Sequence, residues 1–480
     1  MTWLLLGLAT IAACEILLRV DLLERLRTVS QFAGRAARTV SNPVVSDHWK
    51  ERVLPRYALR IATGALATFG CLLVALSPFL IAVLVGLPFD LGFERFVLAW
   101  QSMLACCAFA VIYLAIRDRF SGDRAAGDYS ILDRVLHRLA LGSNARAELL
   151  FDIEKSLAPT PSPGVEEAKH VFVTGLARAG TTVLMRAIYD SGQFASLTYK
   201  DMPFVLALNL WARFRRGGKA DPEISERAHG DGILVSIESP EALEEPFWKC
   251  FSGTDYILPD ALVPHRPETE TLASYRLFVS HVLARYDASR YLAKNNNSIL
   301  RLSGLLAAFP NAIILVPFRR PLHHAVSLHR QHARFSNEKD AFTHEYMGFL
   351  AHHEFGADHR PFVFDGSRPT SHPDDIDYWL ETWVHVYQFL LQQTELDAGR
   401  IFPVAYEDLC GRNDIWNALS SEIGIASDRP AFEMRVSQDP PKAKSDLVST
   451  ADEIYASLLK VSRRRLLGET GNEALRSNSG

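Results

Sequence analysis

The stretch from Val171 to Arg186, VFVTGLARAGTTVLMR, constrains the fold of this chain more than any other. Its apolar start, Val171–Val173, predicts a buried strand. Gly175 and Gly180 then bound a loop, after which apolar residues return at helical spacing. A strand, a glycine-bounded loop and a helix N-terminus gather backbone N–H groups and the positive end of a helix dipole around one point. The sequence therefore predicts that a phosphate-bearing ligand binds at this loop.

The loop lacks the lysine that a nucleotide hydrolase uses to hold its β- and γ-phosphates. A Walker A loop has the pattern G-x-x-x-x-G-K-[ST], with the lysine on the phosphates and the hydroxyl on magnesium. The glycine spacing is the same here, but Thr181 stands at the lysine position and the nearest cation is Arg178. This difference argues against an ATP or GTP hydrolase.

The loop resembles the phosphosulfate loop of sulfotransferases that use PAPS (3′-phosphoadenosine 5′-phosphosulfate). Those loops carry Pro-Arg/Lys-Ser-Gly-Thr-Thr, and this chain has Ala-Arg-Ala-Gly-Thr-Thr over residues 177–182. Alanine replaces the proline and the serine, while the cation, the glycine and the threonine pair remain. The resemblance implies that the loop holds the phosphosulfate and the leaving 5′-phosphate, with Arg178 acting in catalysis as well as in binding. The loop residues implied to bind PAPS are Arg178, Ala179, Gly180, Thr181 and Thr182.

A second motif follows another apolar strand, predicted over residues 312–318. Arg319 ends that strand, Pro321 comes two residues later and Ser327 eight residues later, as in the sulfotransferase family. The resemblance implies that Arg319 and Ser327 grip the 3′-phosphate of PAPS, and a planar guanidinium suits bidentate phosphate recognition. A nucleotide hydrolase would be expected to end such a strand in an acidic residue for magnesium. The alternative is that Arg319 and Arg320 are simply two surface arginines that follow a core strand.

The resemblance to this family covers roughly residues 165–430, and weaker motifs within that range agree with it. The lysine-containing stretch 291–295, the Phe-Pro break at 309–310 and the stretch 404–409, which ends in Tyr-Glu-Asp-Leu, each have counterparts in it. The resemblance implies an α/β fold, an open parallel sheet flanked by helices, with the nucleotide outside the carboxyl ends of the strands.

Sulfuryl transfer to a hydroxyl needs a general base within hydrogen-bond reach of the acceptor. Asp201 follows the first helix, where many carbohydrate sulfotransferases carry a catalytic glutamate, and it is the first candidate. His229 and Glu245 are further candidates, and Asp231 and Glu241 lie in the same acidic stretches. For each of these residues the alternative is a structural role, in which it caps a helix, lies in a turn or is an ordinary surface carboxylate.

No metal is expected, because a sulfuryl group carries less charge than a phosphoryl group and no acidic magnesium site is evident. Residues 329–359 contain six histidines. Their spacing does not match that of zinc-binding helices, so contacts to the acceptor are the preferred interpretation.

The N-terminal part of the chain has a membrane-like sequence. Residues 61–89 and 96–116 contain no charged residue, and each is long enough to cross about 30 Å of hydrocarbon as a helix. Two transmembrane helices are therefore predicted, at about 61–85 and 96–116. Residues 2–18 are apolar apart from Glu15, and a third membrane helix or an interfacial anchor is expected there.

The distribution of basic residues predicts the orientation of these segments. Residues 19–60 carry nine Lys or Arg residues, whereas the link at 90–95 carries only Arg95. The positive-inside rule therefore places residues 19–60 and the chain after 117 in the cytoplasm. That topology suggests a multi-pass protein of the bacterial inner membrane with a cytoplasmic catalytic domain. A formal charge of −4 gives no hint of nucleic-acid binding, and a hydrophobic fraction of 48% excludes disorder.

Four regions are predicted: a membrane anchor at 1–120, amphipathic helices and a linker at 121–164, a sulfotransferase domain at 165–440, and a C-terminal helix with a polar tail at 441–480. The predicted function is PAPS-dependent sulfation of a carbohydrate, glycolipid or other membrane-proximal acceptor, with the lipid bilayer as a partner. One alternative is a P-loop kinase or nucleotide hydrolase. Another is a non-catalytic PAP-binding membrane partner.

Overall fold

The computed structural model describes most of the chain. The residues it describes are 2–19, 32–33, 36, 39–40, 47–86, 93–120, 131–157, 164–215, 225–226, 234–235, 239–338, 340–397, 399–426, 428–434 and 442–468. The chain divides into two compact units, Met1–Leu132 and Asp133–Gly480, and each is described by itself.

The first unit is helical. Its described helices are α1 (Thr2–Arg19), α2 (Asp47–Gly86), α3 (Phe93–Val97) and α4 (Trp100–Phe120). Within α2, the stretch Val53–Gly86 is the one described helix that is long and apolar enough to cross a membrane; Thr2–Leu17 and Trp100–Tyr113 are apolar but shorter. The second predicted span, 96–116, is not one helix. It is interrupted between α3 and α4 by a turn in which the Ala99 N–H donates to the Phe96 carbonyl at 3.1 Å.

Small side chains bring α1 close to α2. Ala9 and Ala82 are buried together, with Phe79 packed against them. Near the other end of α1, the Tyr113 hydroxyl of α4 donates to Glu15 Oε1 at 2.5 Å. The apolar segment predicted at 2–18 is therefore packed against the other apolar helices of its unit.

The second unit contains a parallel sheet and its flanking helices. Its described strands are β1 (Val171–Val173), β2 (Ser225–Glu226), β3 (Leu234–Val235), β4 (Leu292–Lys294), β5 (Ile313–Phe318) and β6 (Ile401–Ala405). Its described helices, the first of which begins just before the unit boundary, are α5 (Ile131–Leu141), α6 (Asn144–Leu157), α7 (Thr181–Tyr189), α8 (Leu208–Arg215), α9 (Glu245–Tyr256), α10 (Thr269–Tyr286), α11 (Leu302–Ala308), α12 (Pro321–Ser336), α13 (Ala341–Phe349), α14 (Ile376–Leu396), α15 (Tyr406–Gly411), α16 (Asn413–Ile423) and α17 (Ser445–Leu467).

The four longer strands form one parallel sheet in the order β4-β1-β5-β6. All residues of β1, β5 and β6 are buried, because apolar side chains of the helices cover both faces, as is usual for parallel sheets. The predicted open parallel α/β sheet flanked by helices is confirmed. Strands β2 and β3 form a separate antiparallel pair, which the sequence did not predict.

Helix α17 packs against the sheet edge at β6. Arg463 of α17 donates from Nε and Nη2 to the two carboxylate oxygens of Asp408, both at 2.9 Å, and both side chains are buried. The short helix α15 that follows β6 is thereby tied to the C-terminal helix.

Candidate functional site

The glycine-bounded loop joins β1 to α7 at the carboxyl edge of the sheet. Gly175, Arg178 and Gly180 have φ angles of 140°, 69° and 94°, so the loop turns through conformations that favour glycine. Thr174 secures its start, with its hydroxyl donating to the Asn295 carbonyl at 2.8 Å. The strand, the glycine-bounded loop and the helix N-terminus thus follow one another as the sequence predicts, and binding of an anion at the loop stays a prediction.

Position 180 requires glycine for two reasons: its φ angle is positive, and a side chain would not fit there. A Cβ atom at this position would lie 2.4 Å from Cδ2 of the Tyr406 ring. The ring is held in place because its hydroxyl donates to the Glu433 carbonyl at 2.8 Å. Tyr406 at the start of α15 therefore closes one side of the loop.

Gly180→Ala is expected to lower the free energy of unfolding by about 1–3 kcal/mol more than Gly192→Ala, because overpacking adds to the backbone strain. Gly192 is a matched control, since its φ is also positive, at 70°, and a Cβ there would meet nothing within 4 Å. Denaturant titration of the full chain, followed by tryptophan fluorescence, gives both values. Equal losses for the two variants would contradict the packing of Tyr406 on the loop.

The two sequence motifs lie together in the structure. Arg178 Nε donates to Ser327 Oγ at 3.3 Å, and Arg319 Nη1 donates to the Arg178 carbonyl at 3.2 Å. The Arg319 guanidinium also lies 5.2 Å from the centroid of the Tyr406 ring. Two guanidinium groups and a hydroxyl thus surround one glycine loop, which gives a strongly cationic site for a ligand with more than one anionic group.

His324 supports the loop from α12, and sequence reasoning missed it. Its Nε2 lies 2.7 Å from the Ala177 carbonyl, and the ring is fully buried. Burial, together with the nearby charges of Arg319 and Arg178, lowers the pKa of His324 to about 3. A neutral imidazole therefore donates its N–H to the loop carbonyl.

Asp201 lies in a short 3₁₀ turn, Tyr199–Asp201, where it is buried. Its Oδ2 accepts from the Thr198 N–H at 2.9 Å and from the Tyr286 hydroxyl at 2.5 Å. Burial raises the pKa of Asp201, and these hydrogen bonds oppose that rise. The carboxyl group thus closes a capping box on its own turn while keeping the perturbed pKa that is common at catalytic positions.

Glu245 lies in a buried ion pair. Arg301 donates to both of its oxygens, at 3.1 and 2.9 Å, and Asn295 Nδ2 adds a bond at 2.5 Å. The Tyr256 hydroxyl donates to it as well. Because both oxygens are engaged, this position favours a structural role over proton transfer.

The adjacent Glu244 is also buried and accepts from Trp248, Tyr275 and Tyr291. Burial raises its pKa. Neither Glu244 nor the Arg301 pairing was anticipated from the sequence.

Glu241 and Lys294 form a second polar group at the carboxyl edge of β4. Lys294 Nζ lies 3.8 Å from Glu241 Oε1, and the Tyr199 hydroxyl donates to Glu241 Oε2 at 3.2 Å. Lys294 is paired in register with Val173, the last residue of β1. This group therefore lies at the end of the strand that neighbours β1, the strand leading into the glycine loop.

His229 lies outside the described residues. In the histidine-rich segment, His332 and His359 have ring centroids 5.3 Å apart, and the His359 ring bonds to the Tyr378 hydroxyl at 2.6 Å. Burial lowers the pKa of His359 to about 4. Within the described part of the chain, no group of three or more His, Cys, Asp or Glu residues could hold a metal ion.

A comparison with protein families agrees with the motifs. A family model described as "Sulfotransferase family" matches residues 170–415, just over half of the chain. Among solved structures, the sulfotransferase STF1 from Mycobacterium tuberculosis H37Rv is 16% identical, with a TM-score of 0.37, over 73% of this chain and 90% of that chain. A sulfotransferase from Alicyclobacillus acidocaldarius is 13% identical, with a TM-score of 0.33, over 64% of this chain and 99% of that chain. No curated protein matches the sequence.

Proposed function

Because the chain belongs to the sulfotransferase family, we propose that it transfers a sulfuryl group from PAPS to a hydroxyl or amine group of a carbohydrate or another membrane-proximal acceptor. One observation carries the proposal: Arg178, Ser327 and Arg319 meet around a single glycine loop. Each supplies a donor that suits a phosphate or a sulfate.

The residues present fit PAPS. Bound there, it supplies an activated sulfuryl group with a phosphate as the leaving group. The loop N–H groups and the start of α7 would hold the 5′-phosphosulfate, with Arg178 beside the transferring group. Arg319 and Ser327 would hold the 3′-phosphate, and the chain would need no metal for this binding. Besides Arg178, the proposed loop ligands are Ala179, Gly180, Thr181 and Thr182.

A general base must take the acceptor proton as the new oxygen–sulfur bond forms and PAP leaves with the electrons of the broken bond. Asp201 stays the first candidate, supported by its raised pKa. The structure adds a reason to consider Glu241, which lies beside Lys294 near the loop. His229 is the remaining candidate from the sequence, whereas the ion pair of Glu245 with Arg301 favours a supporting role.

We further propose that the first unit anchors the enzyme in a bacterial inner membrane, with the second unit in the cytoplasm. Only 17% of the apolar window in α2 is buried, whereas a core helix of a soluble protein would be mostly buried. Leu66 and Phe69 are 70% and 60% exposed, as suits side chains that face lipid. The basic residues of 19–60 support the orientation.

Binding of PAP to the full chain in lipid nanodiscs, measured by calorimetry beside ATP with magnesium, tests the proposal. We expect PAP to bind and ATP with magnesium to bind poorly, because Thr181 replaces the Walker lysine. The reverse result would favour the kinase or hydrolase alternative. Transfer of radiolabelled sulfate from PAPS to membrane glycolipids or polysaccharides then tests catalysis. PAP binding without transfer to any acceptor would favour a non-catalytic partner.

A further inference from the structure

Tyr286 is the last residue of α10. It follows the buried residues Val279 and Leu283 by seven and three positions, so it continues the side of the helix that packs into the core. The chain leaves the helix at Asp287, whose φ of 50° is left-handed and whose N–H donates to the Leu283 carbonyl. The end of a buried helix therefore sets the position of the Tyr286 ring.

The Tyr286 hydroxyl meets the carboxyl group of Asp201. It donates to Oδ2 at 2.5 Å, and the Thr198 N–H and hydroxyl donate to the same oxygen at 2.9 and 3.3 Å. Within the described part of the chain, every hydrogen bond to this carboxyl group ends on Oδ2. Oδ2 is thus the anchored oxygen, and Oδ1 is the one left to accept from a ligand.

The turn that carries Asp201 lies at the carboxyl edge of the sheet. Ala195 forms a parallel bridge just before β4, so the chain runs beside β4 in the same direction until it reaches this turn. The Tyr199 hydroxyl of the turn donates to Glu241, whose Oε1 lies 3.8 Å from Lys294 Nζ at the end of β4. Because β4 neighbours β1, the Asp201 carboxyl group and the glycine loop lie at the same edge of the sheet.

The titratable groups that influence Asp201 come from three elements: Lys200 from its own turn, Arg285 and Tyr286 from α10, and Tyr291 from the approach to β4. Burial raises the pKa of Asp201, and the hydrogen bond from Tyr286 opposes that rise more than any other group does. Burial and the Asp201 carboxylate raise the pKa of the Tyr286 phenol in turn, so the hydroxyl keeps its proton and stays a donor. From α8, which packs against the same turn, Arg213 donates to the Leu157 carbonyl instead.

From this geometry we propose that Tyr286 is a positioning residue, which holds Oδ2 of Asp201 so that Oδ1 takes the proton of the acceptor. The inference rests on the proposed sulfuryl transfer and adds the residue that supports its base. As the acceptor oxygen attacks sulfur, its proton passes to Oδ1, and the electrons of the broken sulfur–oxygen bond leave with PAP. Tyr286 acts on this step only through Asp201.

Release of radiolabelled sulfate from PAPS, with water as the acceptor, tests the inference while the natural acceptor is unidentified. The full chain in lipid nanodiscs is assayed across the pH range in which carboxyl groups and histidines titrate, beside Tyr286→Phe and Tyr275→Phe. Tyr275→Phe is the matched control, because Tyr275 also lies on α10 and its hydroxyl donates to a buried carboxylate, Oε2 of Glu244, at 2.7 Å.

We expect Tyr286→Phe to lower kcat roughly tenfold or more near neutral pH, as misplacement of a catalytic group does, with the KM for PAPS unchanged. The rate falls where Asp201 becomes protonated, and losing a hydrogen bond to the carboxylate raises its pKa. The acid limb of the pH profile therefore moves to higher pH in Tyr286→Phe and stays in place in Tyr275→Phe.

Replacement of Tyr286 by 3-fluorotyrosine is expected to move the acid limb to lower pH. Its phenol is more acidic and donates a stronger hydrogen bond, which favours the carboxylate. Because this side chain differs from tyrosine by one atom, the variant keeps the test decisive even where Tyr286→Phe does not fold.

Two results would overturn the inference. One is an equal fall in kcat for Tyr286→Phe and Tyr275→Phe with both acid limbs unmoved, because the two hydroxyls would then only stabilise the fold. The other is an acid limb that survives in Asp201→Asn, since another group would then be the base. Calorimetry of PAP binding separates both from failure of the proposed function: a natural chain that binds no PAP, or releases no sulfate, contradicts the transfer reaction itself.

Discussion

Arg319→Ala is expected to weaken PAP binding by roughly ten- to one-hundredfold, because a charge-assisted hydrogen bond to phosphate contributes about 1.5–3 kcal/mol. The side chain is partly buried, its Nη1 donates to the Arg178 carbonyl and its guanidinium lies beside Tyr406. These contacts would orient the guanidinium before a ligand binds. Calorimetry of PAP binding to the full chain measures the loss.

Arg320→Ala provides the matched control for charge. Arg320 is the next residue in the chain and is exposed, so its removal changes the net charge equally without removing the proposed clamp. We expect its effect on the Kd for PAP to be small and to shrink further in salt, as for other exposed charges. Equal losses in both variants would indicate general electrostatic attraction instead of a specific 3′-phosphate contact.

Arg301→Met is expected to lower the free energy of unfolding by about 3–5 kcal/mol, because it leaves a buried carboxylate without its partner. Arg301 is fully buried, donates to both oxygens of Glu245 and lies 4.7 and 4.5 Å from the ring centroids of Trp248 and Tyr256. Denaturant titration of the full chain measures the change.

Arg368→Met is the matched control for the arginine side chain. Its ion pair with Asp260 is 2.7 Å long but exposed, and such pairs contribute about 0–1 kcal/mol. The double variant Arg301→Met with Glu245→Leu is expected to recover part of the loss, because it removes the unpaired charge together with its partner. A loss below about 1 kcal/mol for Arg301→Met would contradict the ion-pair assignment.

The sequence predicted the parts of the site that have local signatures. An apolar run followed by spaced glycines located β1, the loop and α7, and a second apolar run ending in Arg319 located β5 and α12. Such patterns depend on neighbours a few residues apart, so one segment is enough to indicate them. The roles of these residues in binding stay predictions.

Long-range side-chain pairings escaped the sequence analysis for a physical reason. Tyr406 meets Gly180, and Arg301 meets Glu245, only after distant parts of the chain have folded together. Nothing in the local pattern around either residue indicates its partner. The same holds for His324, whose imidazole looks in sequence like one histidine among many but holds a loop carbonyl.

The link between α17 and α15 has a consequence for synthesis of the protein. Asp408 is buried beside Arg463, and α15 begins with the tyrosine that closes the glycine loop. Arg463 is translated 55 residues after Asp408, and until then the carboxylate of Asp408 lacks the guanidinium that neutralises it in the folded protein. Tyr406 is therefore expected to settle on the glycine loop only after α17 has been translated, and a nascent chain stopped before α17 is expected to leave that side of the loop unsecured.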